Sequence, residues 1–190
     1  MAQPAPPAAD PRTSRSEAWR LFFALDLSPA LRQRVDIHRA LWRWRGQVRV
    51  TAPHKLHLTL VFMPLVEPRL VPDLLRVGCR VAAAARGCTL LLDRAEVWPT
   101  GIAYLAPSSV PQSLRQLQQD LLAAALALAV QADRRPWSPH LTLARRAQQS
   151  QPPAHFDALR WQLRGFSLQR SQPGSAGYEV LARWGFGARG

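Results

Sequence analysis

A short segment that carries a histidine and a threonine occurs twice in this chain of 190 residues. The two copies are His57-Leu58-Thr59-Leu60 and His140-Leu141-Thr142-Leu143, and their histidines lie 140 − 57 = 83 positions apart. A histidine can take up or release a proton near neutral pH, so two histidines in one cleft can move two protons in one reaction. The repeat therefore predicts two copies of one structural unit, each presenting a histidine for acid–base catalysis.

Each tetrapeptide alternates in the way expected of a half-buried strand. Side chains two positions apart share one face of a strand, so each histidine lies beside its threonine and the leucines point into the core. Arg145 comes five positions after His140, so in a regular strand it would face away from the histidine and would reach the site only if the strand bends. Phe62 has the same spacing from His57; it could form a wall for a base, but we expect it to lie in the core.

The elements around the motifs form two similar rounds of strands, a helix and a motif strand. The spacing of apolar residues and the turn signals predict strands at about 19–26, 48–50, 56–63, 89–98, 102–105, 140–145, 161–169 and 178–184, and helices at about 28–45, 69–86 and 109–131. The last two strands should form a hairpin. We therefore expect an α+β fold of two pseudo-symmetric lobes that face their motif strands across one cleft.

The motifs and their flanks resemble the 2H phosphoesterase superfamily, and within it the RNA 2′,3′-cyclic phosphodiesterases of the bacterial 2′-5′ RNA ligase type. The segments that carry this resemblance are the two tetrapeptides, Leu21-Phe22-Phe23-Ala24-Leu25-Asp26, Trp137-Ser138-Pro139, Ala144-Arg145, Phe166-Ser167-Leu168 and Tyr178-Glu179-Val180-Leu181. One departure is Met63-Pro64, where such proteins often have Leu-Gly after the phenylalanine. Proline lacks a backbone donor, so the strand should end or bulge there.

The resemblance implies antiparallel sheets flanked by helices, with the active site between two lobes. It implies hydrolysis of a 2′,3′-cyclic phosphate at an RNA or nucleotide end, leaving a 2′-phosphate. With a ribose hydroxyl in place of water, the same chemistry would join RNA ends through a 2′-5′ bond. His57 and His140 would be the acid and the base, with either assignment open. Thr59 and Thr142 can donate hydrogen bonds to phosphate oxygens, and Arg145 matches the arginine of the family pattern.

Composition limits the remaining classes of function. The net charge of +13 comes almost wholly from arginine, which suits a phosphate-bearing partner such as RNA. Neither motif strand contains Asp or Glu, and Cys79 and Cys88 lack a metal-ligand spacing, so we expect no metal and no cofactor. Residues 1–16 read as a disordered tail without a secretory signal, and residues 17–187 as one bilobal domain. We expect a monomer in the reducing cytoplasm that does not bind membranes.

A second reading is a basic RNA-binding module without catalysis. Trp42 and Trp44 alternate with Arg43, Arg45 and Arg49, a pattern that can stack on single-stranded bases. Both tryptophans fall on the first predicted helix, however, where one face packs inward. The intact pair of His-x-Thr motifs favours the enzyme.

Overall fold

A computed structural model describes residues 18–172, 174 and 177–187 of the chain. The ten strands are β1 (Trp19–Asp26), β2 (Arg49–Val50), β3 (His57–Val66), β4 (Cys88–Leu92), β5 (Arg94–Val97), β6 (Ala103–Ala106), β7 (Leu141–Arg145), β8 (Leu159–Leu163), β9 (Gly165–Ser171) and β10 (Tyr178–Gly185). The three α-helices are α1 (Pro29–Ala40), α2 (Val71–Ala84) and α3 (Gln112–Ala127). The predicted tail, residues 1–16, lies outside the described residues, and the boundaries of the domain at 17 and 187 stay a prediction.

The main sheet has eight antiparallel strands, with the two motif strands at its centre. Its order is β10-β9-β1-β3-β7-β6-β5, and β2 pairs with β7. The two motif strands are neighbours, but Leu58 and Leu141 form the single residue pair between them. The sheet therefore consists of two halves joined at one point, and each half contributes one motif strand. This arrangement confirms the α+β class with antiparallel sheets and helices.

The leucines of both motifs form the centre of the core. Leu58, Leu60, Leu141 and Leu143 are all buried, as the strand alternation predicts. The helices cover this side of the sheets: α2 packs against β9 and β10, α3 against β3, and α1 against β8. The histidines and threonines are left on the opposite, half-exposed face. None of the helices that the structure describes is long and apolar enough to cross a membrane.

Three expectations about the elements are wrong. One is the predicted strand at 89–98, which is two strands in two different sheets, because β4 pairs with β8 whereas β5 pairs with β6. The first helix ends at Ala40 instead of continuing to residue 45, so Trp42 and Trp44 follow the helix. The predicted strand at 161–169 is two strands in two different sheets, because β8 pairs with β4 whereas β9 pairs with β1 and β10. The chain changes sheet at Gly165, where a Cβ would collide with the carbonyl oxygen of Trp184. The hairpin of β9 and β10 is present as predicted.

Candidate active site

Strand β7 carries a β-bulge directly after its threonine. Two consecutive residues of β6 pair with Thr142 and Ala144, so Leu143 has no partner in that strand. An extra residue reverses the alternation of side chains beyond it. Leu143 and Ala144 are therefore both buried, and Arg145 returns to the face that carries His140. This bulge is the bend in the strand that Arg145 needs in order to reach the site.

Strand β3 carries a bulge at the same position relative to its histidine. Two consecutive residues of β1 pair with Thr59 and Val61, which leaves Leu60 without a partner in β1. Phe62 consequently lies on the face of His57 and lines the cleft, half-buried. The expectation that Phe62 belongs to the core is wrong, and the bulge is the reason. A second irregularity in the β1–β3 register lies between Met63 and Val66, where Met63-Pro64 predicts one.

One cleft of about 590 Å³ brings the two motifs together. Its lining includes all five candidate residues, namely His57, Thr59, His140, Thr142 and Arg145. Further charged or aromatic lining residues are Arg20, Phe22, Arg49, Lys55, Phe62 and Tyr178. None of the described residues that line the cleft carries a carboxylate. A cleft with this excess of positive charge attracts anions.

The two imidazole rings are oriented by the same local contact. The Nδ1 of His57 lies 2.8 Å from the carbonyl oxygen of Lys55, and the Nδ1 of His140 lies 2.8 Å from that of Ser138. A carbonyl oxygen only accepts, so each Nδ1–H is the donor and each Nε2 lacks a proton in the neutral ring. Both histidines thus have Nε2 as the atom that can accept or deliver a proton. The spacing of two residues between ring and carbonyl is identical in the two motifs.

The surroundings of the two rings differ. His57 packs against Phe22 and edge-on against Tyr178, with ring centroids 4.9 and 5.2 Å away. Its Nε2 lies 3.1 Å from the hydroxyl of Thr59. His140 instead packs against Trp98, at the tip of the β5–β6 hairpin, and edge-on against Tyr104, with ring centroids 4.6 and 5.9 Å away.

Burial and the charge of Arg145 both lower the pKa values of the two imidazoles. Burial is the main cause that lowers the pKa of His57. The hydrogen bond to the Lys55 carbonyl and the charge of Asp26 raise this pKa, and the charges of His140 and Arg145 lower it further. Burial also lowers the pKa of His140, with a smaller lowering by Arg145. Both rings are therefore mainly neutral at pH 7 in the free protein.

Several contributors to the cleft were not predicted from the sequence. Tyr178 and Arg20 reach it from strands distant in sequence, Arg49 reaches it from β2, and Trp98 supports His140 from a turn. Arg20 and Phe62 also contact each other, with the guanidinium carbon 5.6 Å from the ring centroid. Tyr178 lies in a segment that the family resemblance included, but nothing local marks its side chain for the site.

The tryptophan and histidine of the first helix region are structural. Trp42 is buried and stacks on Trp44, with ring centroids 4.8 Å apart and planes at 7°. The Trp42 indole N–H donates to Nε2 of His38, which is only 3% exposed. Because Trp42 is occupied in this way, its ring cannot receive a nucleic-acid base. Among the described residues there is no group of three or more His, Cys, Asp or Glu that could hold a metal ion, and Cys79 and Cys88 are free.

Comparison with known proteins agrees with this geometry. The sequence model of the 2′-5′ RNA ligase superfamily matches residues 28–174. A protein of Escherichia coli K12 called RNA 2′,3′-cyclic phosphodiesterase is 32% identical over 174 residues, which are 89% of this chain and 97% of that protein. A Thermus thermophilus protein of the same name is 32% identical over 87% of this chain and 89% of its own.

The fold is also similar to solved structures. A crystal structure of Escherichia coli LigT in complex with 3′-AMP superposes with a TM-score of 0.78 at 31% identity, over 90% of this chain and 99% of that one. The resemblance inferred from the twin motifs is thereby confirmed. The chain belongs to the 2′-5′ RNA ligase superfamily.

Proposed function

We propose that this protein hydrolyses 2′,3′-cyclic phosphates at the ends of RNA or on nucleosides, with His57 and His140 as general acid and general base. The observation that carries the proposal is the single cationic cleft into which both motifs project. Relatives of nearly the same length are called RNA 2′,3′-cyclic phosphodiesterases, which supports this choice of substrate.

In the proposed reaction the Nε2 of one neutral imidazole removes a proton from water, and the water oxygen attacks phosphorus. The other histidine, protonated, donates its Nε2 proton to the 3′ oxygen as the P–O3′ bond breaks, leaving the phosphate on the 2′ oxygen. Each proton transfer contributes about 10²–10⁴-fold to the rate. With a ribose hydroxyl in place of water as the attacking group, the same displacement of the 3′ oxygen joins two RNA ends through a 2′-5′ bond.

Charge that develops on the phosphate oxygens needs donors in fixed positions. Arg145 offers a planar pair of N–H donors that matches phosphate, and the hydroxyls of Thr59 and Thr142 lie on the same face of their strands. Phe62 provides an aromatic wall at the position that corresponds to Arg145, where it can stack on the base. None of these roles requires a metal ion, and we propose that the reaction is metal-independent.

The alternative of a binding module without catalysis loses its main support in the structure. It depended on Trp42 and Trp44 as stacking surfaces, but Trp42 is 5% exposed and one face of Trp44 is stacked on Trp42. We further propose that the protein acts as a monomer in the cytoplasm, where reduced thiols such as those of Cys79 and Cys88 persist.

Turnover of a nucleoside 2′,3′-cyclic phosphate, followed by phosphorus NMR, tests the proposal. The purified full-length protein should give a nucleoside 2′-phosphate, and excess EDTA should leave the rate unchanged. A 3′-phosphate product, or a loss of activity on chelation that one divalent ion restores, would contradict the proposed reaction. Binding of RNA should weaken steeply as salt rises, because counterions are released from the phosphates.

A further inference from the structure

A buried arginine outside the cleft contacts the strand that carries Arg145. Arg39 lies in the last turn of α1 and is 8% exposed. Its Nη2 donates to the carbonyl oxygens of Thr51 and Leu143, at 2.8 and 3.3 Å. Its Nη1 forms an ion pair of 2.9 Å with Asp36 one turn earlier.

Leu143 is the residue that the bulge in β7 adds. Its carbonyl oxygen accepts from the backbone N–H of Thr51, at 2.9 Å, as well as from Arg39. The bulge is what turns Arg145 toward the cleft, so the carbonyl that Arg39 binds belongs to the peptide that sets the direction of Arg145. A contact with this carbonyl can change the direction of the Arg145 side chain, although the contacting residue does not touch the substrate.

The neighbouring strand β2 gives a reason why the contact of Arg39 with these two carbonyl oxygens is needed. It contributes only Arg49 and Val50, which pair with Arg145 and Ala144. Two arginines directly opposite each other on antiparallel strands repel and weaken the pairing. Arg39 binds the end of this short ladder, where Thr51 follows β2, and so opposes the separation of the two strands.

Stability alone does not explain Arg39. Burial lowers its pKa, which shows that desolvation disfavours the charged form, and Asp36 offsets this only in part. Its Nε is buried without a hydrogen-bond partner among the described residues. Replacement of a whole buried ion pair by apolar residues is often neutral for stability, so the pair of Arg39 and Asp36 is weak evidence for a stabilising role. A guanidinium is specifically required, however, to reach two carbonyl oxygens and a carboxylate at once.

We infer that Arg39 is a positioning residue, which holds Arg145 in the cleft through the bulge carbonyl of Leu143 and the end of the β2–β7 ladder. The role deepens the proposed function, because Arg145 is the group expected to bind the phosphate.

A double-mutant cycle between Arg39 and Arg145 tests the inference. Arg39→Met should lower kcat/KM for a nucleoside 2′,3′-cyclic phosphate by about 10- to 100-fold, the cost of a misplaced group. In the Arg145→Ala background it should have almost no further effect, because the residue through which it acts is gone. Arg39→Lys should be intermediate, since one ammonium cannot span all three acceptors. Asp36→Asn is the matched control: it removes the ion pair, keeps both carbonyl contacts and should stay near wild-type activity.

A readout without turnover separates this inference from the proposed function. Arg145 lowers the pKa of His57 and His140, so NMR titration of the imidazoles should show raised pKa values in Arg39→Met, in the direction seen for Arg145→Ala. Equal losses of activity in both backgrounds, or unchanged titrations in a folded Arg39 variant, would overturn the inference. If Arg39→Met does not unfold cooperatively, Arg39→Lys decides by the same criteria. If the wild type lacks turnover, the proposed function fails and the titrations still decide the role of Arg39.

Discussion

The two motif strands share one backbone design and differ in the side chains that complete it. In both β3 and β7 the ring Nδ1 bonds to a carbonyl two residues earlier, a bulge follows the threonine, and the residue five positions after the histidine returns to the cleft. That residue is Phe62 in β3 and Arg145 in β7. The fold thus repeats the backbone arrangement that presents a histidine to the cleft and varies the residue beside it.

This difference suggests how one cleft accommodates an asymmetric substrate. A cyclic nucleotide has an aromatic base at one end and an anionic phosphate at the other. Under the proposed function, the aromatic Phe62 suits the first and the cationic Arg145 suits the second. Each histidine has an edge-on tyrosine, Tyr178 beside His57 and Tyr104 beside His140, but the second aromatic neighbour differs, Phe22 in one case and Trp98 in the other. Two similar halves therefore need not have interchangeable roles.

The largest expected effect comes from removing either histidine. His57→Ala and His140→Ala should each lower kcat for a nucleoside 2′,3′-cyclic phosphate by about 10²–10⁴-fold, because each supplies one proton transfer. The thermal unfolding midpoint should change little, since both rings lie on the half-exposed face. Steady-state kinetics beside a thermal melt measure the two quantities. Near-normal activity of either variant would mean that one half suffices and would end the two-histidine mechanism.

The strands and their chemical faces could be predicted because the tetrapeptides alternate strictly. His57, Thr59, His140 and Thr142 required only a period of two and a core on the leucine side, and all four line the cleft. The continuous apolar run of β1 and the capping signal of α1 were also sufficient, since the hydroxyl of Ser28 accepts from the N–H of Leu31 as a helix cap does.

The direction of Phe62 and Arg145 could not be predicted with the same rule. A bulge depends on how the partner strand pairs, and β1 and β6 are remote in sequence from the bulges they oppose. The local sign was present as two adjacent apolar residues, Leu60-Val61 and Leu143-Ala144, where alternation would place a polar one. The aromatic neighbours Trp98 and Tyr178 had no local sign at all, because only tertiary packing brings them to the histidines.

The next largest effect is expected at the residue five positions after each histidine, which is charged in β7 and uncharged in β3. Arg145→Ala should lower kcat/KM by about 10²–10³-fold, the cost of losing a fixed donor to developing charge. It should also shift the pH–rate profile. With both imidazole pKa values lowered, the wild-type optimum should lie below the ordinary histidine value of about 6.5. Removing a cation that lowers both pKa values raises them, so the optimum should move to higher pH. An unmoved profile in Arg145→Ala would show that this charge does not act on the histidines.

Phe62→Ala tests the other half of the same comparison. Loss of a stacked base should raise KM by about 10-fold with a smaller change in kcat, and the pH profile should stay in place. Phe62→Tyr keeps the aromatic face and serves as the control. Kinetics on cyclic nucleotides of different bases would measure the effect. A loss confined to kcat, or a shift of the pH optimum, would assign Phe62 to the reacting centre and remove the proposed division between the strands.

The smallest effect concerns the threonines, which the two strands hold differently. The Thr59 hydroxyl lies 3.1 Å from Nε2 of His57 and donates to the neutral ring, whereas no described contact links Thr142 to His140. A hydrogen bond to the neutral form disfavours protonation, so Thr59→Val should raise the pKa of His57 in an imidazole titration. Thr142→Val should leave the pKa of His140 unchanged. Both variants should lose about 3- to 10-fold in kcat, because each removes one donor to phosphate. Valine has nearly the shape of threonine, so packing is preserved and the titrations isolate the hydroxyl. Equal pKa shifts in the two variants would mean that both threonines bond to their histidines in solution, and the difference between the halves would then rest on Phe62 and Arg145 alone.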